Sequence, residues 1–112
     1  MFEGQMLFTG NQVYSPWMRR GGDNVIIALD LIARAGTTLE VSLYTKNTED
    51  TGDGVLVGGG ALISASAVGQ TPYNQVGELL ELVRYRFKVA GTNVYDYVLF
   101  RMLPPNWYDT VD

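Results

Sequence analysis

Along the chain, apolar and polar residues alternate with a period of two far more than with the 3.6-residue period of a helix. Segment 38–45 is the clearest case. Leu39, Val41 and Leu43 share one face, and Glu40, Ser42 and Tyr44 share the other, which predicts a strand with one buried side. Before it, residues 25–32 (VIIALDLI) form an apolar run with a single charge, short enough for a buried strand. Ala33-Arg34-Ala35-Gly36-Thr37 lies between them with a glycine turn signal, so the two segments are expected to pair as a hairpin. In 94–103, Tyr95, Tyr97, Leu99, Arg101 and Leu103 fall on one face, and Val94, Asp96, Val98, Phe100 and Met102 on the other. Aromatic and β-branched residues favour a strand here, and Pro104-Pro105 ends it because proline cannot donate to a ladder.

Segment 76–89 fits both periods. As a helix, Val76, Leu79, Leu80, Val83 and Phe87 line one side, and Thr71-Pro72 could open it. As a strand, Leu79, Val83, Tyr85, Phe87 and Val89 share a face opposite Arg84, Arg86 and Lys88, with Glu81 as the exception. The unbroken alternation after Arg84, and the cost of about 1 kcal/mol for Gly77 inside a helix, favour the strand.

The remaining pieces are shorter. Met6-Leu7-Phe8 and Val13-Tyr14 flank Thr9-Gly10-Asn11-Gln12 and read as a small hairpin or as edge strands. Residues 46–54 are polar, acidic and rich in turn formers, which marks a surface loop. Gly58-Gly59-Gly60 reads as a flexible connection, 61–68 as a strand of small residues, 69–74 as a loop and 90–93 as a turn. The sum is an all-β protein. We expect a single-domain antiparallel β-sandwich or jelly-roll-like barrel of about six to eight strands over residues 1–112, with room for extended N- and C-terminal segments.

Composition narrows the chemistry. The 112 residues include no cysteine and no histidine, which removes disulfides, the usual zinc sites, haem ligation through these residues and His-based nucleophilic pairs. Twelve acidic residues against eight basic ones give a net charge of −4. Lys46, Lys88, Arg19, Arg20, Arg34, Arg84, Arg86 and Arg101 form no basic tract, so nucleic acid is not expected as a partner. Residues 1–5 carry no basic stretch, and no apolar run approaches ~18 residues, so neither a signal peptide nor a membrane span is expected.

Weighed singly, the candidate motifs are modest. Glu49, Asp50 and Asp53 supply hard oxygen ligands, but their spacing does not match an EF-hand, and a solvated loop is the better reading. Asp30, Glu40, Glu78, Glu81 and Asp96 are the carboxylates from which a glycosidase pair could be drawn, although nothing in the pattern sets two of them at a working separation. Gly58-Gly59-Gly60 lacks the Lys-Ser/Thr of a phosphate loop, and Arg19-Arg20-Gly21-Gly22-Asp23 has an extra glycine relative to an integrin-type tripeptide. No catalytic residues, metal or cofactor are expected. The aromatics say more. Trp17 and Met18 follow Pro16, and Trp107 and Tyr108 follow Pro104-Pro105, outside strand interiors. These residue types are enriched in interface cores, and they serve equally well to cap a sandwich core, so both roles stay open for Trp17, Met18, Trp107 and Tyr108. Tyr95, Tyr97 and Arg101 form a second stripe that Tyr44 joins if its strand is adjacent.

Ser15-Pro16-Trp17, Asp23 before the 25–32 run, Thr45-Lys46-Asn47 and the segment 100–108 (FRMLPPNWY) give the chain a family likeness. It resembles small bacteriophage virion proteins, especially capsid decoration (cement) proteins built on sandwich or jelly-roll folds. That resemblance implies a non-enzymatic structural role on the exterior of the virion, after synthesis in the host cytoplasm. The implied partners are the major capsid protein and further copies of the chain itself. It also implies a mechanism in which many modest contacts, summed over a lattice, bridge coat subunits. A carbohydrate-binding sandwich module and a tail or head-completion component are the alternative readings.

Overall fold

A computed structural model of the chain describes residues 5–8, 12–90 and 95–110. The turn signals at Thr9-Gly10-Asn11 and Gly91-Thr92-Asn93, and Val94 beside the latter, lie outside the described residues. Among the described residues, eleven strands follow in order: β1 (Gln5–Phe8), β2 (Gln12–Tyr14), β3 (Met18–Arg19), β4 (Asn24–Ala35), β5 (Thr38–Lys46), β6 (Val55–Leu56), β7 (Ile63–Ala65), β8 (Gly69–Val76), β9 (Leu82–Ala90), β10 (Tyr97–Met102) and β11 (Asn106–Tyr108). A short 3₁₀ turn covers Val57–Gly59.

The strands form two antiparallel sheets packed as a β-sandwich. β2 and β3 lie end to end along β9, β6 and β7 along β5, and β10 and β11 along one side of β4. Each sheet is therefore four columns wide. The first runs β1, β10/β11, β4, β8, and the second runs β2/β3, β9, β5, β6/β7. Numbering the columns in chain order gives 1-8-3-6 and 2-7-4-5, the jelly-roll arrangement of two Greek keys.

This topology corrects one expectation. Segments 25–32 and 38–45 do not pair as a hairpin, because β4 belongs to the first sheet and β5 to the second. Each has a complete apolar face to bury: Val25, Ile27, Leu29 and Leu31 on one, Leu39, Val41 and Leu43 on the other. Crossing between sheets lets the two faces pack against each other. The expected five-residue turn shrinks accordingly, since β4 runs on to Ala35.

The other elements follow from which face each can bury. In β9, Val83, Tyr85, Phe87 and Val89 are buried, so the strand reading of this stretch holds from Leu82 onward. Residues 76–81, read with it, are instead the last residue of β8 and a turn with positive φ at Gly77 and Glu78. Leu79 is buried from this turn, while Val76 and Leu80 are exposed. The expected loop 69–74 is strand β8. Its turn-forming composition is tolerated because it pairs with β4 alone, at the sheet edge where a proline's missing donor costs least. The small-residue strand shortens to Ile63–Ala65. Met6-Leu7-Phe8 and Val13-Tyr14 are edge strands of opposite sheets rather than a hairpin. Pro104-Pro105 does end β10, and the chain then resumes as β11 beside β4.

Aromatic rings link the two layers. Phe87 of the second sheet and Phe100 of the first have ring centroids 4.8 Å apart, and Tyr85 lies 5.7 Å from Phe87. Burial pushes the Tyr85 phenol well above its usual pKa, so it stays neutral where exposed tyrosines ionise. Between Leu99 and Phe100 the register on β4 steps from Ala33 to Leu31, a bulge that leaves Ile32 unpaired and turned outward. Side chains also replace missing ladder partners. Ser15, between β2 and β3, accepts from the Tyr85 N–H through Oγ at 2.8 Å and donates its own N–H to the Tyr85 carbonyl. Thr45 Oγ1 donates to the Leu82 carbonyl at 2.8 Å and accepts from the Leu80 N–H at 2.7 Å, which fixes the 77–81 turn.

Two substitutions test this account by urea denaturation. Phe87→Ala removes the ring that links the layers and should cost about 3–5 kcal/mol. Thr45→Val keeps the shape but strips partners from two backbone groups, and should cost about 1–3 kcal/mol.

Candidate functional site

The outer face of the second sheet carries a cluster that arises from the period-two pattern. With Val83, Tyr85 and Phe87 turned inward, Arg84 and Arg86 must project outward from β9. On one side, β5 sets Tyr44 opposite Arg84, Ser42 opposite Arg86 and Glu40 opposite Lys88. On the other, β2 sets Tyr14 opposite Arg86. Trp17 comes from the link between β2 and β3.

The geometry is a ladder of cations and rings. The Arg84 guanidinium carbon lies 4.3 Å from the Tyr14 ring centroid and 4.5 Å from that of Trp17. Lys46 Nζ lies 4.6 Å from the Trp17 ring. Arg86 stands 5.3 Å from the Tyr44 ring, donates to the Tyr44 hydroxyl at 2.8 Å and donates to Ser42 Oγ at 3.3 Å. Tyr14 and Tyr44 meet edge to face at 5.9 Å. Arginine suits these positions because its flat, weakly hydrated guanidinium stacks on rings.

The acidic loop closes one side. Asn47 N–H donates to Asp50 Oδ2, and Asp50 N–H donates to the Asn47 carbonyl. Thr48 donates to Glu81 Oε1 through both N–H and hydroxyl. Asp53 Oδ1 then reaches Arg84 Nη2 at 3.5 Å. Gly54 makes this approach possible. Its φ is +83°, and a Cβ there would stand 2.6 Å from the Thr45 carbonyl oxygen and 2.9 Å from the Trp17 ring.

The residues singled out in the sequence divide between the sheets. Trp17 belongs to the ladder, and Met18 is half-buried, in register with Val83 and packed on the core. Trp107 packs on the core from β11 of the first sheet. It lies so close to the 21–22 link that a Cβ on Gly21 would sit 2.8 Å from its ring. Tyr108 donates its hydroxyl to Asn74 Oδ1. Tyr44 does not join Tyr95, Tyr97 and Arg101, because it lies in the other sheet.

The carboxylates are likewise dispersed. Asp30 accepts from Arg101 Nε at 2.8 Å on the first sheet, Glu40 is on the second, Glu78 and Glu81 are in the 77–81 turn, and Asp96 lies beside Gly36. Among the described residues, no three acidic side chains gather as a metal-ligand set. A shallow cleft of about 450 Å³ is lined by Thr45, Leu56, the Val57–Gly59 turn and one carboxylate, Glu78.

The outer face of the first sheet is different in kind. β4 presents Ile26, Ala28, Asp30 and Ile32, and β10 adds Leu99 and Arg101. Along these outward positions Asp30 and Arg101 are the charged pair, and they satisfy each other. Ile26 and Ile32 are 37% and 42% exposed, and Val76 at the β8 edge is 62% exposed. Reading the sequence missed both the ladder and this contrast. The alternation of Arg84, Arg86 and Lys88 was visible, but which strands flank β9 and β4 was not.

Comparison of the chain with models of known protein families, with curated proteins and with solved structures finds no match.

Gly54→Ala tests how the loop is held. The added methyl should expel the loop from Trp17, shift the Trp17 fluorescence to the red and destabilise the fold by at least about 1 kcal/mol. Spectrum and urea midpoint check both.

Proposed function

We propose that this chain is a non-enzymatic structural protein of a virion, a capsid decoration protein that lies on the outside of a phage head and bridges coat subunits. The observation that carries the reading is the difference between the two broad faces of the sandwich. One carries exposed Ile26 and Ile32 on its central strand beside the Asp30–Arg101 ion pair, with polar side chains such as Gln70, Asn74 and Asn106 on the flanking strands, and the other is lined by arginine and lysine side chains stacked on rings. A protein that coats a shell needs such a division, one side against the lattice and one toward solvent.

Size supports the reading. The body measures 45 × 30 × 23 Å, so its broad face is large enough for a standard interface of about 800 Å² per partner. Ile26, paired on both sides, and Ile32, at the bulge, give that face apolar anchors on its central strand. Each contact can be modest, because many copies on one lattice add their effects. The partners on this reading are the major capsid protein and neighbouring copies of the chain. Sugar stacking is less well supported, because the rings of Trp17, Tyr14 and Tyr44 already carry cations.

The test is co-sedimentation of purified chain with undecorated phage shells. The chain should pellet with its cognate shell. Ile32→Glu, at an exposed bulge where it should not disturb folding, should weaken the association by about tenfold or more. A chain that stays in the supernatant with every shell type tried sinks the proposal.

A further inference from the structure

Charge is distributed unevenly between strands and loops. The whole chain is acidic, at −4, yet the strands of the second sheet hold five bases, Arg19, Lys46, Arg84, Arg86 and Lys88, against one acid, Glu40. Among the described residues, most of the acids lie in loops and turns. We infer that the outer face of the second sheet is a docking site for an extended acidic segment of polypeptide, and that Asp53 occupies part of that site in the free protein.

Three observations carry this. Arg84 is already fixed between two rings, so a ligand need not order it, and a preorganised donor binds at lower entropic cost. Its present partner is held loosely. Asp53 lies 3.5 Å away, beyond the 2.7–2.9 Å of a strong charge-assisted bond, and its side chain is 95% exposed while that of Arg84 is 15% exposed. Asp53 also follows Gly52, around which there is open space within 4 Å, so its carboxylate can leave Arg84 while Gly54 stays packed on Thr45 and Trp17. Third, Arg84, Arg86 and Lys88 recur at every second residue of one strand, about 6.8 Å apart. An extended segment with acids at alternate positions repeats at the same spacing. Arg86 already donates to Tyr44 and Ser42, so what the face offers a ligand is the Arg84 edge now turned to Asp53, the exposed Lys88 and the positive charge of the row, which suits carboxylates rather than stacked bases. The inference holds whatever surface the first sheet rests on.

The probe is a fluorescently labelled, alternating Glu-Ser octapeptide, titrated into the purified chain at low salt and followed by anisotropy. The peptide should bind, and Trp17 emission should change in a Trp107→Phe background. Asp53→Asn should tighten binding at least about threefold by removing the internal competitor. Lys88→Gln, an exposed change that should not affect folding, should weaken it by a similar factor. Added salt should reduce affinity. Equal binding of a Gln-Ser peptide, unchanged or weaker binding by Asp53→Asn, or tighter binding of an oligothymidylate would each overturn the inference.

Discussion

Phe87 and Phe100 meet across the interior with their rings 4.8 Å apart, and the organisation of both sheets depends on that contact. Phe87 sits in the middle of β9 and Phe100 in the middle of β10, so the pair sets the separation of the layers at their centre. With Phe87 inward, its neighbours in β9 have no choice of direction. Arg84 and Arg86 must leave the sheet on the far side, where Tyr14, Trp17 and Tyr44 receive them. With Phe100 inward, Leu99 and Arg101 must face out on the other layer, where Arg101 finds Asp30. A pairing of two rings in the core thus decides the character of two surfaces that share no residue.

The two faces also differ in energetic role. Cation–ring contacts on the second sheet hold six large side chains against one another, so that face is preorganised. The first sheet keeps exposed Ile26 on a part of β4 that is paired along both edges, where the backbone has little freedom to move. Rigid side chains lose little entropy when a surface is covered.

How much of this could be read beforehand depended on whether the information was local. Leu39, Val41 and Leu43 announced their shared face because alternation is a property of consecutive residues. So did Val98, Phe100 and Met102. The partner of each strand was hidden. β5 pairs with β9 across some forty positions of sequence, and nothing within either segment encodes that register. The supposed hairpin between β4 and β5 shows the same limit, since a tight turn joins strands equally well within one sheet or between two. β8 was obscured for another reason. Gly69, Pro72 and Asn74 carry turn chemistry, and only the shelter of an edge position lets them extend. The ladder could not be assembled from its parts, because Tyr14, Trp17, Tyr44 and Arg84 are neighbours only once β2, β9 and β5 lie side by side.

The jelly-roll order also governs the time course of the chain's synthesis. β1 finds its place only beside β10, and β2 only beside β9, so the first strands made wait for nearly the last. Until residue 97 and its successors emerge, β4 has an open edge and the apolar face of Val25, Ile27, Leu29 and Leu31 lacks the cover of Phe100. The nascent chain therefore spends most of its elongation with a sticky, unfinished layer. Such long-range pairing folds on the slow scale of milliseconds to seconds. A ribosome that stalls late in this message would release a fragment prone to aggregate rather than a smaller working domain.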